Sequence, residues 1–124
     1  MNNLQPWWLM WPVAEVAAAI LPLFSYSPCV DEEAAIENIV SWCETGSYRK
    51  AKVFLIVRDK KQFEDPDIRA IAEAIQVLEH AALLMRTVDG VAHVVVGLTR
   101  LGVHALQTNT VRQHLGLGDA PPRA

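Results

Sequence analysis

Apolar and polar positions alternate along the chain in three different ways, and each predicts a different kind of element. Between Trp7 and Phe24 almost every residue is apolar and Glu15 is the one charge. Pro12 suits the first turn of a helix, and Pro22 is expected to end that helix near Leu21. A helix apolar all round must be covered, either by the core or by a second subunit. Trp7, Trp8 and Trp11 stand just before it, and aromatic anchors of this kind are favoured at interfaces. The run approaches the length of a membrane span. Glu15 near its middle, the prolines at both ends and the lack of a preceding Lys or Arg argue against one.

The second pattern is a one-sided stripe. Ser25 to Val30 reads as a turn. Asp31 then offers an N-cap, and Glu32 and Glu33 fall where the helix dipole favours acids. Ile36, Ile39, Val40 and Cys43 lie on one face of a helix over 32–44, with Gly46 as its C-cap. A longer stripe follows Asp65 as cap and Pro66 as first helical residue. It comprises Ile68, Ile71, Ala72, Ile75, Leu78, Glu79 and Ala82, is apolar except at Glu79, and runs to about Leu83. Between these helices, Val53 to Val57 is a continuous apolar run for which helix and strand both stay open. The spacing of Tyr48, Ala51, Lys52 and Leu55 favours helix. Arg58 to Phe63 is a charged loop.

The third pattern is a hairpin. Leu84 to Val88 and Val91 to Val96 flank Asp89-Gly90, which suits a two-residue type I′ turn. In that register Val88 faces Val91 and Arg86 faces His93. Leu98-Thr99 opens a last helix with Thr99 as N-cap and Leu101, Leu106 and Val111 as core contacts. Gly116 and Gly118 are expected to end it, leaving 117–124 as a loose tail.

Three linked pieces resemble a winged helix-turn-helix domain over residues 47–115. One is the helix ending in Ala74-Ile75-Gln76-Val77-Leu78-Glu79-His80-Ala81-Ala82-Leu83-Leu84, similar to a recognition helix closing on L-E-x-x-G-L. The second is the Asp89-Gly90 hairpin in the place of the wing. The third is Leu98-Thr99-Arg100-Leu101-Gly102-Val103-His104-Ala105-Leu106, which matches L-T-x-x-G-x-x-x-L. Ala82 stands where the family usually has glycine. The resemblance implies an α+β, mainly helical fold: a winged-helix-like unit over 47–116 with one hairpin as wing, preceded by an N-terminal helical extension over 1–46. It also implies a small DNA-binding transcriptional regulator. Arg49, Lys50, Lys52, Lys60, Lys61 and Arg86 would meet phosphates, and Arg69 and Gln76 would lie near bases.

Composition tempers this picture. With 124 residues, 52% of them hydrophobic, the chain can build one ordinary core. Its net charge of −3 gives no global attraction to nucleic acid, so the electrostatic case rests on the basic residues between Arg49 and Lys61. Glu64, Asp65 and Asp67 at the start of the candidate recognition helix oppose it. A winged-helix adaptor that binds another protein is therefore the alternative, with a membrane-associated accessory protein third. Cys29 and Cys43, with no CxxC or Cys/His cluster, read as reduced thiols in a cytoplasmic protein.

No catalytic constellation stands out. His80, His93, His104 and His114 are scattered without a metal-ligand spacing, and there is neither a phosphate loop nor a nucleophile elbow. The expectation is a non-enzyme with no metal and no cofactor. Trp7, Trp8 and Trp11 are the candidate interface, and the apolar helix behind them predicts a homodimer.

Overall fold

A computed structural model describes residues 6–46, 64–89 and 93–118. The expected helix over 47–57, the charged loop over 58–63, the cations Arg49, Lys50, Lys52, Lys60 and Lys61, and the glycine of the Asp89-Gly90 turn lie outside those residues. The fold is α+β and mainly helical. In chain order the elements are α1 (Trp7–Met10), α2 (Val13–Ile20), a 3₁₀ helix (Leu21–Tyr26), β1 (Val30–Asp31), α3 (Glu32–Thr45), α4 (Pro66–His80), β2 (Leu84–Asp89), β3 (His93–Leu98), α5 (Arg100–Thr108) and α6 (Val111–His114).

Helix α4 is the centre of the packing. Its Ile71, Ala74, Ile75 and Leu78 are buried, and it meets α1, α2, α3 and β2. The core continues through Val16, Ala17 and Ile20 of α2, Ile36 and Ile39 of α3, and Leu84 and Val96 of the sheet. One apolar cluster thus draws on both the N-terminal extension and the segment that follows it. The caps are as expected. Asp31 accepts from the Ala34 amide at 3.1 Å, and Asp65 from the Asp67 and Ile68 amides at 3.0 and 3.3 Å. Gly46 takes a left-handed φ of 78° at the end of α3.

The first apolar helix ends at Ile20, close to the expected Leu21, but Pro22 does not open a turn. It sits in the first turn of the 3₁₀ helix, where its missing N–H is not needed, so the chain tightens and continues to Tyr26. The stretch read as a turn also hides β1. Val30 pairs with Val96 and Asp31 with Val95, which makes a three-stranded antiparallel sheet ordered β1-β3-β2. Gly97 permits the approach. A Cβ there would lie 2.5 Å from the Pro28 carbonyl.

The hairpin register differs from the expected one. Arg86 faces Val96, Val88 faces Val94 and Asp89 faces His93. The strand also extends to Leu98. This register places Leu84, Val96 and Leu98 on the same face of the sheet, and Leu84 and Val96 are 2% and 1% exposed. An odd shift would turn one strand's apolar set outward, so burial overrides the local preference of Asp-Gly for a two-residue turn.

Two helix ends are also corrected. Helix α4 ends at His80 rather than near Leu83. The Leu83 amide donates to the Leu78 carbonyl at 2.9 Å, and the Ala82 amide donates to Glu79 at 2.9 Å. Ala82 has a left-handed φ of 63°. This is a glycine-type helix terminus with alanine in the strained position. The last helix breaks at Asn109, also left-handed with φ 57°, before α6 begins. Leu101 points outward, because α5 docks through Gly102 and Ala105. Leu106 is partly buried and Val111 is in the core.

Candidate functional site

The exposed row of α4 is Arg69, Glu73, Gln76 and His80, opposite its buried face. Both base-reading candidates therefore share one surface. They line a groove of about 310 Å³ together with Glu32 and Ile36 of α3, Ala72, Glu73 and Glu79 of α4, and Arg86 of β2. The groove is where the helix-borne candidates and the hairpin-borne cation come together.

Its charges are largely engaged with one another. Arg86 Nε lies 3.2 Å from Glu32 Oε2 and 4.0 Å from Glu79 Oε2. Arg69 Nε lies 3.5 Å from Glu73 Oε2, one turn along α4. Burial raises the Glu32 carboxyl above its ordinary value of 4.5; Arg86 opposes this and Glu79 adds to it. Glu32 and Glu79 were not singled out from sequence as site residues. The interruption of an apolar stripe at Glu79 was the available signal, and a buried-side carboxylate of this kind needs a cation such as Arg86.

The aromatic residues form a second locus. Trp8 is 7% exposed and donates from Nε1 to Asp67 Oδ1 at 2.8 Å. Trp7 meets Trp8 edge-on at 5.7 Å between centroids, Trp11 at 4.8 Å in a tilted contact, and Trp42 of α3 edge-on at 6.0 Å. Trp42 is not among the expected stripe residues of α3, although its place three residues after buried Ile39 on the same side of the helix was the available signal. Asp67, read from sequence only as an acid near phosphates, is the hydrogen-bond partner of Trp8. The three tryptophans therefore close one end of the core. Leu9, Met10 and Val13 beside them are exposed.

The third locus is the junction that carries the L-T-x-x-G residues. The Thr99 hydroxyl donates to the Ala82 carbonyl at 2.6 Å and accepts from the Gly102 amide at 2.9 Å, while the Thr99 amide donates to Leu83 at 3.1 Å. A Cβ on Gly102 would collide with the Leu83 carbonyl. This motif fastens the start of α5 to the chain that leaves α4 for β2.

Cys29 and Cys43 are free thiols. Cys43 is pushed up to about 12 by burial, with Asp67 and Glu44 adding to it. No helix among the described residues is long and apolar enough to cross a membrane. Comparison with protein-family models, curated proteins and solved structures finds no match.

Proposed function

We propose that the chain is a small DNA-binding transcriptional regulator of the winged-helix type. The observation that carries this reading is the order of elements around α4. An exposed helix row leads directly into the β2–β3 hairpin, β1 completes the sheet on the far side of β3, and Thr99 and Gly102 lock the next helix to the junction. Gln76 has the side chain for bidentate contact with an adenine edge. The cations between Arg49 and Lys61 supply the phosphate-binding charge that the rest of an acidic chain lacks. Two free thiols suit a reducing, cytoplasmic setting.

A second reading is favoured by one observation: Arg69 and Arg86 each lie against carboxylates. A face neutralised in this way suits a protein partner better than a polyanion, and fold does not dictate function. Titration of a fluorescent mixed-sequence duplex against salt separates the two. The regulator binds with an affinity that falls linearly with log salt, and Lys60→Glu with Lys61→Glu weakens it. Absence of binding at low salt removes the regulator and leaves the adaptor.

A further inference from the structure

We propose that the groove where α1 and α2 meet α4 is the seat of a second copy of this chain. Its apolar lining includes Trp8, Trp11, Val16, Pro66 and Ala70, set beside charged residues, and it has a volume of about 300 Å³. That is the low end of the range for small-molecule sites, and it suits protruding side chains. Leu9 and Val13, 41% and 38% exposed, belong to the groove's lining, and the adjoining Met10, 62% exposed, is the apolar side chain that stands out from the same surface. One patch therefore bears both an apolar knob, Met10, and a hollow able to receive it. A two-fold contact requires this self-complementarity, because each copy offers the same surface to the other.

The rim has matching charge. Glu64, Arg69 and Glu73 line it. Arg69 and Glu73 form an intrahelical pair, but their side chains remain 59% and 54% exposed. A rim of mixed sign can set Arg69 of one copy against Glu64 of the other, twice over by symmetry. A rim of one sign could not. The proposal assigns Arg69 to this contact and leaves Gln76 and the hairpin, on the α3 side of α4, outside it. It does not depend on the DNA reading, since the test contains no DNA.

The experiment is sedimentation equilibrium of the full chain over a micromolar range, with far-UV circular dichroism as the check on folding. The wild type is expected to be a dimer, and Val13→Glu a folded monomer. Glu64→Arg and Arg69→Glu should each weaken association by about tenfold or more, as for close interfacial charge pairs. The double variant, with both signs exchanged, should restore it. The charge variants lie on the rim, so they remain informative if Val13→Glu fails to fold. A monomer at every concentration overturns the proposal. So does a dimer indifferent to all these substitutions, which would place the contact elsewhere, or a double variant no better than the singles.

Discussion

Glu15 on α2 and Arg112 on α6 form a bidentate ion pair across almost the whole chain, with Nη1 to Oε1 at 2.6 Å and Nη2 to Oε2 at 3.1 Å. Both side chains are mostly buried, at 13% and 19% exposed. Arg112 also donates from Nε to the Gly118 carbonyl. The pair explains why the one charge in the apolar N-terminal run is tolerated: it holds the last helix onto the first part of the core. Truncating one partner strands the other charge. Arg112→Met is therefore expected to cost about 3 kcal/mol, read as a lower urea midpoint at unchanged m-value.

Ala82 sits at a left-handed φ that costs an L-residue roughly 1–2 kcal/mol, partly offset by the greater freedom of glycine in the unfolded chain. Ala82→Gly should stabilise the fold by about 0.5–1 kcal/mol, measured as a rise in melting temperature.

Gly102 has the opposite requirement. A methyl group there meets the backbone of Leu83, which cannot swing aside as a side chain could. Gly102→Ala is expected to destabilise by about 3 kcal/mol, the upper range for overpacking. In hydrogen exchange it should loosen the hairpin before α3.

Glu32 makes stability depend on pH. Its folded carboxyl is raised above 4.5, so the folded state binds this proton more tightly than the unfolded chain. The contribution is therefore favourable below the folded value and is lost as pH rises through it from 4.5 upward. Glu32→Gln should abolish that component. The difference between the two stability profiles should fall as pH rises through this window. A difference that rises there would refute the assignment.

The thiols should react unequally. Cys29 is exposed, whereas Cys43 is partly buried with its thiol pushed up to about 12. At pH 8, iodoacetamide should label Cys29 in the native protein and reach Cys43 only after denaturation, since the thiolate is the reactive form. Peptide mass analysis reads this directly.

Local chemistry made much of the fold legible. Asp31, Asp65 with Pro66, and Thr99 announce three helix starts by their capping side chains. Each cap depends on residues within three positions, so sequence suffices. What escaped was non-local. Val30–Asp31 becomes a strand only because β3 lies beside it, and two residues carry no pattern of their own. The hairpin register was set by burying Leu84 and Val96 rather than by Asp89-Gly90. Leu101, expected in the core, lies outward because α5 approaches through Gly102 and Ala105, its smallest residues. At the candidate site, sequence proposed cations without their counter-charges. That Glu32, from an element far upstream, reaches Arg86 follows from the way α3 and β2 both meet α4.

Asp31 belongs to two elements at once. Its backbone pairs with Val95 in the sheet, and its carboxylate holds the first turn of α3. No loop separates β1 from α3. Glu32 is the next residue, and its carboxylate lies against Arg86 of the β2–β3 hairpin. The hairpin, the edge strand and the wall of the groove beside α4 are thus joined through two consecutive residues, by backbone pairing at Asp31 and by an ion pair at Glu32.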